Sequence, residues 1–409
     1  MGRRRPAHGR ALLRARRPLR AGFHGHPAII PPVTRLVLWS SLALLLYTHA
    51  GYPALLWLLL RFRRERDADP RDGTNMELPS VSLIIAAHDE EGVIAGRVAN
   101  ARALDYPSDR LEVIVASDGS TDGTAERARA AGADRVLELP RGGKVAAQDA
   151  AVELARGELL AFSDANSAWA PDALRHLVAR FADPRIGYVC GQVRFLGRDG
   201  SNQEGAYWRY ENAVRALESR LAGITAGNGA IYAVRRSAYL RLDPRTSHDL
   251  SFPFSTVKRG LRAVYEPAAG AEERMAPTVE GEFRRKRRMM RHAWPTVLAG
   301  GLLSPRGYPP LYALEVASHR ALRYASPALH LALLGTSVAL AARGDRLGRA
   351  ALAAQLGVLA AAGAAPVMPA LPLRLARYYV LVTAALAAGL WDHLREGTPT
   401  SWEREPGTR

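Results

Sequence analysis

The chain has 409 residues, 48% of them hydrophobic, and its 56 Lys and Arg against 39 Asp and Glu give a formal charge of +17. That length suits one sizeable catalytic domain with accessory segments, and a single cysteine, Cys190, excludes an internal disulfide. The charge does not point to nucleic acid: the arginines gather beside apolar stretches, at Arg3–Arg20, Arg61–Arg66 and Arg284–Arg291, where they suit anionic lipid headgroups, and no aromatic-interleaved basic motif accompanies them.

Residues 1–32 hold eight arginines among Pro and Gly with no apolar periodicity, so a disordered basic arm is expected. Leu36–Leu60 is almost uncharged and exceeds the roughly 20 residues that span a bilayer. A cleaved signal peptide is the competing reading. The apolar run continues through Ala54–Leu60 to Arg61, however, which favours a retained anchor over residues 33–60. Both flanks are Arg-rich, so the positive-inside rule does not orient it. Residues 61–79 form a charged linker bearing Pro and Gly.

From Ser80 the pattern alternates between strands and helices. Val81–Ala87, Leu111–Ala116, Arg135–Leu139 and Leu159–Phe162 read as strands; Glu91–Leu104, Thr124–Ala131 and Lys144–Ala155 read as helices. Such alternation predicts an α/β domain of three layers with a mostly parallel sheet, spanning residues 80–292. An interfacial segment is expected over residues 293–324. Beyond it, Ala325–Ala342, Ala350–Leu373 and Tyr378–Trp391 are expected to cross the membrane, three helices, or four if Pro366 and Pro369 break the middle one. A polar tail covers residues 392–409.

In a parallel α/β sheet, ligands gather at the carboxyl ends of the strands. Here the first strand runs into His88-Asp89-Glu90-Glu91 and the second into Ser117-Asp118-Gly119-Ser120-Thr121-Asp122-Gly123-Thr124. Arg141-Gly142-Gly143-Lys144 opens a helix, and the strand at Leu159 ends in Ser163-Asp164-Ala165-Asn166. Each cluster alone passes for a turn or a helix cap. A calcium loop starting at Asp118 fails because its twelfth position is Arg129, and RGGK lacks the spacing of a Walker A loop. Four such clusters in this order argue for a nucleotide site.

Taken together, VSLIIAAHDEE, VIVASDGSTDGT, RGGKVAAQDAAVELARGELLAFSDANS, GNGAIYAVRRSAY and HDLSFPFSTVKRGLRAVYEP, followed by EFRRKRRMMRHAW, resemble the family 2 glycosyltransferases over roughly residues 80–290. The apolar flanks and SHRALRYASP resemble the membrane-bound processive members, the bacterial synthases of cellulose, poly-N-acetylglucosamine and hyaluronan. The resemblance implies a Rossmann-like GT-A catalytic domain flanked by transmembrane helices. It also implies roles. His88 and Glu90 would contact the uracil or ribose of the donor, Asp118 would accept from the base, and Lys144 would face the diphosphate. Asp164 and Asn166 occupy the D-x-D position, which holds donor and a Mg²⁺ or Mn²⁺ cofactor between them. Asp249 stands where the family keeps its general base, and Gly227 and Asn228 fall near the acceptor. Arg287 or Arg288 would meet the diphosphate, although Arg284–Arg291 matches the family's Q-x-x-R-W segment only loosely and equally suits an interfacial helix. Two departures stand out: Asn166 replaces the second Asp of D-x-D, and His248 replaces the acid before the base.

The expectation is therefore an inverting hexosyltransferase of the plasma membrane with its catalytic domain in the cytoplasm. Its partners would be a nucleotide-sugar donor, expected to be UDP-linked, a glycan or lipid-linked acceptor, the lipid bilayer, and a companion membrane subunit or second copy if a channel is to be completed. A nucleotidyltransferase would carry a Gly- and basic-rich loop after the first strand, where this chain has HDEE. A silent nucleotide-sensing subunit would be favoured by loss of Asp118, Asp164 or Asp249, and all three are present.

Overall fold

The structure, a computed structural model, describes residues 1–2, 32–62, 77–196, 205–274, 279–368 and 370–401. Nearly all of the basic arm, most of the linker, Pro369 and the end of the polar tail lie outside these residues.

Eight strands form one sheet: β1 (Val81–Ala87), β2 (Leu111–Asp118), β3 (Arg135–Leu139), β4 (Leu159–Asp164), β5 (Ala168–Trp169), β6 (Ile186–Leu196), β7 (Tyr232–Arg235) and β8 (Arg262–Arg274). Their spatial order is β3-β2-β1-β4-β7-β6-β8-β5. The first four strands pair in parallel, as their near-continuous apolar runs require when both faces are covered. Past β4 the sheet turns mixed: β7 is antiparallel to both β4 and β6, while β8 runs parallel to β6.

Side chains of β1 alternate between two cores. Leu83 and Ile85 face a layer holding Ile94, Val98, Leu174 and Leu177. Ile84 faces Ala147, Ala151, Phe252 and Phe254. The helices that supply these layers are α2 (Ile94–Arg102), α3 (Thr124–Ala130), α4 (Lys144–Leu154), α5 (Ala173–Ala179), α6 (Gly205–Leu221) and α7 (His248–Lys258), numbered after the N-terminal helix α1. Each fully buried Leu, Ile or Phe contributes about 1.5–3 kcal/mol of transfer free energy, enough collectively to hold a three-layer sandwich.

Four helices are long and apolar enough to cross a membrane: α1 (Pro32–Phe62), α9 (Pro310–Ala341), α10 (Arg346–Ala364) and α11 (Leu371–Glu396). Their large apolar side chains, such as Trp39, Trp57, Leu331 and Leu356, stay on the outside, as lipid-facing surface does. Arg35 of α1 pairs at 2.6 Å with Asp345, whose other carboxylate oxygen caps α10 by accepting from Gly348 N. Before this bundle, α8 (Val279–Leu298) lies along the catalytic domain and packs on α11.

The helix ends differ from the sequence expectation. Residues 310–324, expected in an interfacial segment, are continuous with the helix α9, and its His319 and Arg323 pair with Glu218 and Glu211 of α6. The break falls after Ala364, with Pro366 in the turn, so residues 371–373 start α11 instead of ending the helix before it. Three C-terminal helices of this kind result among the described residues.

Candidate active site

The loops at the carboxyl ends of β1, β2 and β4 knit together before any ligand is considered. Asp89 takes a left-handed backbone (φ 50°), a costly conformation for a side chain-bearing residue. Its N–H donates to Ser120 Oγ at 3.1 Å, and Thr121 donates to its carboxylate through its N–H at 2.7 Å and its hydroxyl at 3.3 Å. His88 Nδ1 donates to the Asp118 carbonyl at 2.8 Å, which fixes its tautomer. The Asp118 carboxylate accepts from the backbone N–H groups of Gly142 (2.6 Å) and Gly143 (3.0 Å) and from Arg141 (3.0 Å). Asp118 thus shapes the third loop, and Gly143 can follow it because φ 94° suits only glycine. A carboxylate has about four lone-pair sites, so this leaves capacity for a base N–H.

Lys144, the first residue of α4, pairs with Asp164, the last residue of β4. Burial pushes the ammonium's pKa down, but Asp164 outweighs that and holds it above its ordinary value. Gly229 lies over this pair: a Cβ there would stand 3.1 Å from Lys144 Nζ and 3.7 Å from Asp164 Oδ2. The missing side chain keeps the space before the carboxylate open.

These groups line one cavity of about 270 Å³. It brings together His88, Glu90, Asp118, Lys144, Asp164, Asn166, Asp249 and Arg288 of the sequence-predicted residues. Asp249 sits in the first turn of α7; its carboxylate accepts from Leu250 N at 3.0 Å and its carbonyl accepts from Gly227 N at 2.7 Å. Gly227 and Asn228 are not in the cavity wall. They lie behind it, with Asn228 donating to the Gly191 carbonyl at 2.7 Å and accepting from Ile231 N at 2.9 Å. Arg287 is also outside: its guanidinium makes two 2.6 Å bonds to Asp392 of α11, so the expectation that it meets the diphosphate does not fit its position. Helical spacing explains this, since Arg285, Arg288 and Met289 share the cavity face while Arg287 and Arg291 face α11.

The sequence reading missed Glu273, at the end of β8. Its carboxylate accepts from Ser167, and burial, then the nearby Asp164 carboxylate, push its pKa up. Nothing local marks this residue; only the pairing of β8 with β6 carries it to the site. Arg285, on α8, reaches the cavity through the helical spacing it shares with Arg288 and Met289.

The oxygen donors of Asp164 and Asn166 fit a hard divalent cation, and no group of three or more His, Cys, Asp or Glu suited to hold a metal occurs among the described residues. The remaining positions would fall to diphosphate and water, the usual arrangement for Mg²⁺ at phosphate sites.

His248, where the acid was expected, is a buried neutral imidazole. It shares a 2.6 Å hydrogen bond with Tyr232 and stands edge-on to Phe252 at 4.6 Å. Burial, then Lys144, lower its pKa to about 3; burial, followed by Arg288 and Arg291, lowers that of His292 to about 4. The unfolded chain protonates both near pH 6.5 while the folded protein does not. Their stabilising effect is therefore complete above that pH and declines as the pH falls below it. His248→Gln is expected to flatten the fall of melting temperature between about pH 6.5 and 4. An unchanged profile would contradict a neutral buried His248.

Residues 82–261 match the family described as Glycosyl transferase family 2. The chain is 36% identical over 167 residues to a beta-monoglucosyldiacylglycerol synthase of Nostoc sp., covering 39% of this chain and 34% of that protein. It is 28% identical over 263 residues to an N-acetylglucosaminyltransferase of Rhizobium meliloti, covering 58% of this chain and 61% of that one. The matches thus span between about a third and three fifths of these relatives. Among solved structures, the mannosyltransferase PcManGT from Pyrobaculum calidifontis, in complex with GDP-Man and Mn²⁺, superposes with a TM-score of 0.67 at 24% identity, over 88% of this chain and 99% of that one. At that identity the likeness speaks for the fold.

Proposed function

Since residues 82–261 form a family 2 glycosyltransferase domain on a GT-A fold, we propose that the protein transfers a hexose, with inversion, from a UDP-sugar to an acceptor hydroxyl at the membrane. The observation that carries this is the single cavity shared by Asp118, the Lys144–Asp164 pair and Asp249. In it His88, Glu90 and Asp118 bind the nucleoside end, and Lys144 with Arg288 faces the diphosphate. Asp164 and Asn166 would hold Mg²⁺ or Mn²⁺, which supplies Lewis-acid stabilisation of the departing nucleoside diphosphate. Asp249 takes the proton of the acceptor hydroxyl as that oxygen attacks the anomeric carbon. Nucleotide sugars are made in the cytoplasm, so the catalytic domain faces inward and α1 enters from the outer side.

A growing polysaccharide or oligosaccharide is the acceptor in the first reading. Single transfer to a lipid acceptor is the second, and the Nostoc relative's name, a glucosyldiacylglycerol synthase, favours it. Both are tested by purifying the full chain with its native lipids and screening UDP-sugars for UDP release with Mg²⁺ or Mn²⁺. Turnover with one donor, abolished by chelator, is expected, and the size of the product separates the two acceptors. A folded protein that neither binds nor turns over any UDP-sugar would overturn the proposal.

A further inference from the structure

Ionisable side chains at membrane helices are costly and usually functional, and here several converge beside the acceptor side of the site. Glu218, near the end of α6, is fully buried. Its carboxylate accepts from Tyr52 of α1 (2.7 Å), from His319 of α9 (2.7 Å), and from both the N–H (3.2 Å) and the hydroxyl of Thr225. Arg320 of α9 donates to the same Thr225 hydroxyl at 2.8 Å. One short segment is thus held directly by α6 and α9, and by α1 through Glu218.

Both membrane helices widen locally to do this. A π-turn at Tyr47–Gly51 immediately precedes Tyr52, and another at Val316–Ala321 contains His319 and Arg320. The two turns face each other through a 2.8 Å bond between Tyr47 and Ser318 hydroxyls. Such turns interrupt the regular helix and persist where a function requires them.

The grip leads to the reacting side of the cavity. Two residues past Thr225, Gly227 donates its N–H to the Asp249 carbonyl at 2.7 Å. Tyr312 of α9 adds a 2.9 Å bond to the Ile224 carbonyl. The donor-side loops, at β1, β2 and α4, take no part in these bonds.

We propose that Glu218 is a positioning residue: with Tyr52, His319 and Arg320 it ties Thr225 to α1 and α9 and so sets where Asp249 stands relative to an acceptor delivered from the bilayer. This rests on the assignment of Asp249 as the base. The catalytic step then depends on the membrane helices being seated, while donor binding does not.

The test uses the full chain in its native lipids, with UDP-glucose and UDP-N-acetylglucosamine as donors and UDP with Mn²⁺ as binding probe. Thr225→Val keeps the shape of the side chain and removes the hydroxyl; Thr225→Ser keeps the hydroxyl. Glu218→Gln is run beside them. A misplacement of about 1 Å costs on the order of 10²-fold, so kcat is expected to fall about 10–100-fold in Glu218→Gln and Thr225→Val. Thr225→Ser stays near wild type, and UDP affinity holds in all three. Amide exchange at residues 224–229 is expected to quicken in the two defective variants. Equal loss of UDP binding and kcat, or wild-type kcat in Glu218→Gln, would overturn the proposal. If neither sugar is turned over, unchanged exchange at residues 224–229 overturns it and faster exchange supports it. Asp249→Asn separates the two levels: wild-type transfer by that variant sinks the base assignment, whereas an inactive Asp249→Asn beside a normal Glu218→Gln sinks the latch alone.

Discussion

Asp249→Asn is expected to lower sugar transfer by about 10²–10⁴-fold, the range a positioned general base supplies, while nucleotide affinity stays unchanged. The substitution is close to isosteric, and the amide oxygen can still accept from Leu250 N–H as the carboxylate does at 3.0 Å. The Gly227 bond goes to the backbone carbonyl, so the acceptor-side segment keeps its anchor. Only proton affinity is lost. Steady-state kinetics with the donor identified by screening would check this: a fall in kcat at constant donor KM is the signature of a group that acts in the transition state. A fall confined to KM would assign Asp249 to binding instead.

Asp164→Ala should have the second-largest effect, acting on the donor side. The carboxylate has two tasks in one place, pairing with Lys144 and offering oxygen to a cation. Removing it leaves the Lys144 ammonium without its partner and the cation with Asn166 alone. Charge-assisted hydrogen bonds contribute about 1.5–3 kcal/mol, so UDP affinity in the presence of Mn²⁺ is expected to weaken by about 10–100-fold. Asp164→Asn, which restores an oxygen but no charge, should fall between the two. The measurement is a binding isotherm with and without chelator, since chelation should cost the wild type more than it costs Asp164→Ala.

Much of this site was readable from the sequence because of how parallel sheets are built. Strands covered on both faces read as near-continuous apolar runs, and β1, β2 and β4 do so up to their carboxyl ends, apart from Ser82 and Glu112. Their loops must then carry the polar chemistry, which is why His88, Asp118 and Asp164 stood out. The part beyond β4 was harder. β6 to β8 carry charges at their ends, and Glu273 reaches the cavity only through a pairing of strands far apart in the chain.

Adjacent arginines were harder still. Composition could not separate Arg287 from Arg288, but a turn of about 100° per residue puts them on different faces, one against Asp392 and one on the cavity. The start of α9 was misplaced for a related reason. Ser318, His319, Arg320 and Arg323 look soluble in a hydropathy reading, yet His319 and Arg323 pair with Glu218 and Glu211 of α6, Arg320 donates to Thr225, and Ser318 bonds Tyr47 of α1. Tertiary charge pairing has no local signature.

The most direct test of the central claim is titration of UDP, with Mn²⁺ present, into the purified full chain and into Asp164→Ala. The account predicts saturable binding by the wild type, lost on chelation and strongly weakened in the variant. Binding that ignores both chelator and substitution, or no binding by a folded protein, would contradict a nucleotide site built on Asp118, Lys144 and Asp164.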